Sequence, residues 1–288
     1  MSKKIRLHKR LNRSLAGDAG INIILVLIGM IMILPIVYIV SSALKPLDEI
    51  WMFPPRFFVQ NPTLKNFSDL FRIMSNSVVP FARYVFNTIF VSVVGTTGHV
   101  IIASMCAYVF AKHQFPGSKL MFNMVVTALM FTASVTAIPN FLVMSALKIV
   151  NTYYSLILPA FASSLGLYLM KQFMEQMIPN SVLESARIDG AGEWKIFWKI
   201  AMSMVRPAWL TLIVFSFQSL WNTGPTVFVY SEKLKTLNYA LNQILAGGVA
   251  RAGAGAAAVF LSMIVPIVLF VIVQSNVVET MSTSGMKD

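Results

Sequence analysis

Six stretches of this chain run for more than 20 residues without an Asp, Glu, Lys or Arg: 20–44, 84–111, 120–147, 149–170, 207–230 and 252–278. A helix of roughly 20 apolar residues crosses the hydrocarbon core of a bilayer. Lipid offers no water to bond the backbone, so each stretch must satisfy its own N–H and C=O groups and form a helix. The fold class predicted is an all-α polytopic membrane protein with six transmembrane helices. Of its 288 residues 57% are hydrophobic and 12% charged, against about 25% charged in soluble domains. Length and composition imply one membrane domain, 20–278, between a basic N-terminal segment, 1–19, and a short C-terminal tail, 279–288. Only Lys148 separates the third and fourth stretches, which predicts a tight hairpin.

Charge sets the orientation. The net charge is +12, which in so apolar a chain points to basic loops beside anionic lipid rather than to nucleic acid. "KKIRLHKRLNR" (3–13) places six Lys and Arg just before the first span, which predicts a cytoplasmic N-terminus. An even number of spans returns the C-terminus to that side. The cytoplasmic side then holds 14 of the 23 Lys and Arg: the six in the N-terminal cluster, Lys112, Lys119, five in 171–206, and Lys287. The first stretch is too long for a cleavable signal peptide and lacks a small-residue cleavage site. Residues 45–83, with Pro46, Pro54, Pro55, Pro62 and Pro80, become a long external segment. Pro35, Pro139, Pro159 and Pro266 predict kinks inside spans. The glycine-rich run 245–258 reads equally well as a close helix contact or a flexible loop.

The chemistry that is missing narrows function. No carboxylate lies inside any span, whereas ion-coupled carriers keep ionisable groups there at some cost. His99 reads as a helix-packing histidine. Cys106 is the lone cysteine, a small core residue that excludes a disulfide framework. There is no phosphate-cradling GxxxxGK[ST], no Cys/His cluster at metal-ligand spacing, and no nucleophile paired with a base. The expectation is a chain without catalytic site or cofactor of its own. Any uphill transport then draws its energy from a partner.

The densest mixed-charge stretch is "ESARIDGAGEWKIFWKIAMS" (184–203), between the fourth and fifth spans. Ser181 and Glu184 form S-x-x-E, a capping box that predicts a helix from Val182. Gly190 stands where a C-terminal glycine belongs, so the helix should cover 182–189. A second helix, 193–201, carries Trp194, Phe197, Trp198 and Ala201 at helical spacing beside Lys195 and Lys199, which suits the membrane interface. An amphipathic connector would look much the same without the spacing that follows. Glu184, Ala186, Gly190 and Ile200 match the motif E-A-A-x-x-x-G-x9-I-x-L-P, with Ser185, Met202 and Ser203 at its second Ala, its Leu and its Pro. In this the chain resembles the permeases of binding-protein-dependent ABC importers. "SALKPLDEIWMFPP" (42–55), "PTLKNF" (62–67), "NTIFVS" (87–92), "AYVFAKHQFPG" (107–117), "IPNFLVMSALKIVNTYYSLILP" (138–159), "FSFQSLWN" (215–222) and "LKTLNYAL" (234–241) resemble the carbohydrate-uptake branch, and within it the six-span, maltose-type second permease.

The resemblance implies a type I importer permease fold in a bacterial-type cytoplasmic membrane. It implies a second, similar permease as partner, two cytoplasmic ATPases that bind ATP and Mg2+, and an external sugar-binding protein. Glu184, Ser185, Ala186, Asp189, Gly190 and Ile200 would belong to the ATPase-coupling element, a stiff helix seated in a groove of one ATPase. An oligosaccharide is the expected cargo. On the fifth span Phe215, Gln218, Trp221 and Asn222 are candidates for the substrate path, because an aromatic face and amides suit a sugar. Trp221 as an interfacial anchor and amides as helix glue are the alternative. Competing readings are a type I permease for a non-sugar solute and, from another class, an ion-coupled carrier; the absent carboxylates and inverted repeat oppose the carrier.

Overall fold

The computed structural model describes residues 15–75 and 79–284. The basic cluster at 3–13 and Lys287, on which the expected orientation rests, lie outside the described residues. Among the described residues every regular element is helical. Helices α1 (Leu15–Leu44), α4 (Phe81–Lys112) and α14 (Ala252–Ser284) are long and apolar enough to cross a membrane. So is the run of α7 (Tyr154–Phe161) and α8 (Ser164–Met177), joined through Ala162 and Ser163. The other two expected spans are bent pairs. α5 (Ser118–Ala128) meets α6 (Ala133–Ala146) at 115°, and the segment 193–204 meets α12 (Arg206–Trp221) at 81°. Among the described residues four helices are thus long and apolar enough to cross a membrane, or up to six spans if each bent pair counts as one.

Local chemistry explains the departures from the expected boundaries. α5 buries no residue and α6 only Met144, so little of this chain holds the third stretch in line. The fifth was expected to continue to residue 230 but stops at Trp221. "NTGP" (222–225) follows it, and Pro225 has no N–H and disfavours helix before it. Residues 222–236 form a loop with a single 3-10 turn at Glu232–Leu234, leading into α13 (Leu237–Leu245). The predicted hairpin turn is present, with Lys148 and Asn151 both at positive φ, 57° and 60°. In the external segment, α2 (Leu47–Ile50) and α3 (Lys65–Ser75) pack against α14, and α3 also folds back on the end of α1. The Asn66 amide donates to the carbonyls of Ala43 (2.9 Å) and Lys45 (2.7 Å). The buried Glu49 carboxylate accepts from the backbone N–H of Gln60 and Asn61.

α4 is the central strut, flanked by α7, α8 and α12. One apolar cluster joins its C-terminal half (Val100, Ala107, Tyr108) to Met170, Met174, Ile178, Ile196 and Val205. At its other end, Tyr84 packs with Leu70, Leu241, Ile244, Ala257 and Ala258, and Val91 with Leu156, Ile157 and Leu220. Between the clusters the helices approach closely. A Cβ on Gly95 would lie 2.6 Å from Leu220, on Gly98 2.2 Å from Phe161, and on Gly166 2.1 Å from the His99 ring. The glycine-rich run divides between its two readings. Gly248 sits in a loop at φ 72°, while Gly253 abuts Asn66 and Ala257 and Ala258 are fully buried. Residues Ile21 to Leu34 of α1 expose their apolar side chains all round, as a surface suited to lipid or to another helix.

Candidate functional site

The mixed-charge stretch folds as a capped helix standing on the inner cluster. α9 covers Asn180–Ile188, and Pro179 takes the N-cap position in extended conformation. The helix therefore starts before Ser181, and the expected capping box does not form. Ser181 lies in the first turn, where its carbonyl accepts from the Ser185 hydroxyl (2.9 Å). The expected C-terminal glycine is present. Gly190 has φ 79°, its N–H reaches the Arg187 carbonyl (3.0 Å), and the Ala191 N–H reaches that of Ala186 (3.0 Å). These paired bonds are the Schellman arrangement that satisfies a helix's last carbonyls. Leu183 and Ala186 are buried against the body. Glu184, Ser185, Asp189 and Gly190 face outward, with Val182 and the 86%-exposed Ile188 beside them. The exposed face is thus mixed, acidic and apolar.

The following helix differs from its expected register. Glu193–Lys195 is a single α turn (α10), and Ile196–Ala201 widens into a π-helical turn before the short α11 (Met202–Met204). The wider turn rotates the buried face, so Ile196, Phe197 and Ala201 are buried, Ile200 half-buried, and Trp194 and Trp198 exposed. The expected stripe of Trp194, Phe197, Trp198 and Ala201 is split accordingly. Glu193 ties the stretch together. Its carboxylate accepts from Arg187 Nε (2.7 Å) and the Tyr108 hydroxyl (3.3 Å), with His113 Nε2 at 3.7 Å. The Arg187 hydrogen bond holds the Glu193 carboxyl below the usual range against partial burial, aided by the charges of Arg187 and His113 and by Tyr108. Lys112, the last residue of α4, donates to the carbonyl of Ile178 (2.7 Å) and the side chain of Asn180 (3.2 Å). α9 is therefore pinned at both ends to the tip of α4.

At the opposite end, polar side chains lock α4 to the hairpin and to the loop after α12. The Asn87 amide donates to the carbonyls of Lys233 (2.9 Å) and Lys235 (2.8 Å) and accepts from the Tyr153 hydroxyl (2.7 Å). Tyr84 donates to Glu232 (2.8 Å), which also pairs with Lys235 (2.5 Å). Thr88 accepts from the Leu237 N–H, and Asn151 from the N–H groups of Tyr230 and Ser231.

The four candidate path residues do not converge. Trp221 is 5% exposed, stacks on Phe217, and donates its indole N–H to the Ser262 carbonyl of α14 (3.0 Å). Asn222 caps α12, and its carbonyl accepts from Asn238 (2.7 Å). Gln218 is half-buried. Phe215 lines a cavity of about 380 Å³ between α4, the α7–α8 break and α12. The helical spacing is present, but α14 claims one side of α12 and the cavity another.

No family model matches this chain. It is 32% identical over 200 residues to protein LplC of Bacillus subtilis, covering 68% of this chain and 63% of LplC. It is 29% identical to the polygalacturonan/rhamnogalacturonan transport system permease YtcP of the same organism, covering 72% of this chain and 69% of YtcP. It is 30% identical to the sn-glycerol-3-phosphate transport system permease UgpE of Yersinia enterocolitica, covering 69% of this chain and 71% of UgpE. The chain thus spans about two thirds of the length of the curated relatives it matches. It belongs to the ABC-importer permeases of the carbohydrate-uptake branch. The fold agrees. A chain in the crystal structure of a bacterial ABC transporter involved in the import of the acidic polysaccharide alginate superposes with a TM-score of 0.75 at 22% identity, covering 92% of this chain and 99% of that one.

As a permease the chain is a transport subunit, and several residues that shape it were not singled out from sequence. Lys112, Tyr108 and Glu193 act together only because α4 returns to the α9 stretch, more than 60 positions away in sequence for Lys112. Asn87, Asn151 and Lys235 each lie in a segment quoted above for its resemblance to the branch, "NTIFVS", "NTYYS" and "LKTLNYAL". The fold brings those segments into one network.

Proposed function

We propose that this permease forms part of the path by which a sugar, an oligosaccharide in our reading, crosses the cytoplasmic membrane. An external binding protein delivers the cargo. A second, similar permease completes the membrane unit, and two ATPases supply the energy through ATP and Mg2+. Membership of the carbohydrate-uptake branch is the observation that carries this reading. The α5–α6 pair then counts as one span and α12 as another, with 193–204 at the cytoplasmic interface, giving six crossings with both termini cytoplasmic. α9 is the coupling helix: Glu184, Ser185, Asp189 and Gly190 meet the ATPase, while Ala186 and Ile200 hold the helix to the body. A helix locked at its C-terminus by Gly190 and pinned by Lys112 and Glu193 transmits displacement, where an unanchored loop would dissipate it. The match to UgpE favours a second reading, a polyol phosphate as cargo.

Proteoliposomes holding the permease pair, the ATPases and the binding protein test the reading. They should take up labelled trigalacturonate, maltotriose or chitobiose only when ATP and the binding protein are both supplied. Uptake of sn-glycerol-3-phosphate alone would favour the second reading, and uptake without ATPases would refute both. In a Cys106→Ser background, Asn61→Cys should label from outside and Ser181→Cys only after permeabilisation. The reverse pattern refutes the topology.

A further inference from the structure

The segment after α1 carries an exposed aromatic surface. In "WMFPPRFF" (51–58) Trp51, Met52, Phe53 and Phe58 all face outward, Phe53 at 93% exposure, and no carboxylate interrupts the run. A contiguous apolar patch of this kind marks a place of contact.

Its position along α1 says with what. α1 ends at Leu44, yet the chain turns back beside the helix. Lys45 Nζ donates to the Arg56 carbonyl, the Ser41 hydroxyl donates to the Phe57 carbonyl (2.8 Å), and the Phe57 and Tyr38 ring centroids lie 5.6 Å apart. Tyr38 precedes Leu44 by six residues, about 9 Å along the axis at a rise of about 1.5 Å per residue. The chain then climbs again, and the Thr63 N–H reaches the Leu44 carbonyl (2.8 Å). The charge-free run of α1 starts after Asp18. Roughly 20 residues cross the hydrocarbon, which sets its far edge near Tyr38. Phe57 and Phe58 therefore lie level with the edge of the lipid, above the stretch of α1 whose apolar side chains are exposed all round.

The backbone suits that depth. Unpaired N–H and C=O groups are costly beside lipid. The carbonyls of Arg56 and Phe57 are taken by Lys45 and Ser41, and Pro54 and Pro55 have no N–H to satisfy. Lys45 is itself buried, so its charge is not presented to the surface. The exposed Arg56 guanidinium bonds only the Gln60 side chain among the described residues. Its remaining N–H groups, set among aromatic rings, match a phospholipid phosphate above the acyl boundary.

We propose that residues 51–58 are a foot resting in the membrane interface at the outer end of α1. Trp51, Phe53 and Phe58 enter the boundary between headgroups and acyl chains, and Arg56 pairs with lipid phosphate. The foot is independent of the cargo. Only the choice of the outer leaflet rests on the proposed topology, which labelling at Asn61 and Ser181 tests separately. By holding the end of α1 at a fixed depth the foot also sets the depth of α3, which hangs from the Ala43 and Lys45 carbonyls through Asn66.

The test uses the assembled transporter in lipid nanodiscs, in the Cys106→Ser background with cysteine-free partner subunits. A nitroxide is attached at Trp51→Cys, Phe53→Cys or Asn61→Cys, and its collisions with oxygen, which concentrates in lipid, and with a neutral nickel chelate, which stays in water, are measured. Asn61 is exposed but lies where the chain has climbed away from Tyr38. The oxygen-to-nickel ratio at positions 51 and 53 should exceed that at 61 about threefold or more, as for side chains sunk roughly 5–10 Å into the interface. Arg56→Glu sets like charge against phosphate and should raise nickel collisions at position 53. Equal ratios at 51, 53 and 61 overturn the foot and place the segment in water. Protection from both reagents overturns it in favour of a protein contact, with the second permease, or with the binding protein if protection appears only when that protein is added. Unchanged nickel collisions in Arg56→Glu overturn the phosphate contact.

Discussion

Gly190 separates two effects that are usually confounded. At φ 79° it occupies left-handed backbone, where an L side chain costs roughly 1–2 kcal/mol. A Cβ built there meets no atom of this chain within 4 Å, so substitution adds no clash within the permease. The cost of Gly190→Ala is then the backbone term alone. If the locked turn is needed for ATPase binding, that term weakens binding by about 5–30-fold, at 1.4 kcal/mol per tenfold. Asn tolerates left-handed backbone better, so Gly190→Asn should lose less. Gly190→Trp carries the same backbone term as Ala, and any loss beyond that of Ala measures bulk against the docked ATPase. We expect binding in the order glycine, Asn, Ala, Trp, with Trp at least a further tenfold below Ala. Titrating the ATPase onto nanodisc-held permease pairs reads this directly, with thermal unfolding of each pair as the control. Should Trp and Ala bind within twofold of each other, no partner surface lies over Gly190. Should Ala bind as wild type does, the turn is irrelevant to coupling.

Three further outcomes follow from the geometry. Lys112→Met removes charge-assisted bonds worth about 1.5–3 kcal/mol together, so amide exchange across 180–190 should quicken about tenfold to a hundredfold while the permease pair still assembles; unchanged exchange would show that Lys112 does not seat α9. Trp221→Ala empties a buried site and breaks the bond to Ser262, at roughly 3–5 kcal/mol, so expression, thermal stability, ATP hydrolysis and uptake should fall together. Selective loss of uptake would return Trp221 to the substrate path. The Glu193 carboxyl is held low by Arg187, so its contribution to seating α9 is complete above the ordinary carboxylate value of about 4.3 and is lost as pH falls through the depressed one. Exchange protection of α9 should therefore be level from pH 7 to pH 5 and drop only below about pH 4; a drop near pH 6 would implicate another group.

Much of the fold was legible because lipid leaves the backbone few choices. Uncharged runs located α1, α4 and α14 to within several residues, and Lys148 located the hairpin. The bends were hidden because they depend on what does not pack: α5 buries nothing, and no local pattern reports that. The stop at Trp221 is encoded in "NTGP", whose effect on the backbone a count of uncharged residues does not register. Gly190 was readable because a helix C-terminus has a strong local signature. The capping box misled because Pro179 competes for the same end and starts the helix earlier. The register of 193–201 was missed because a π turn alters the period on which the reading relied. His99 packs on Gly166, in keeping with its reading as a packing histidine, but which segments surround it was not legible, because they come together only in the fold.

The glycine contacts midway along α4 have a mechanical consequence. The strut is gripped firmly at both ends, by the Lys112–Glu193 cluster at one and the Asn87–Tyr153 network at the other, and is slimmest between them. Gly95, Gly98 and Gly166 leave helix surfaces meeting there without interlocking side chains of their own. Such a layout behaves as a rocker with its fulcrum near the middle. If α9 is the coupling helix proposed above, a push on it should tilt α4 with α8 and α12 about that fulcrum and swing the loop after α12 the opposite way. The cavity around His99 lies close to the fulcrum, where travel is least, so its walls should keep their spacing while the two ends of α4 move.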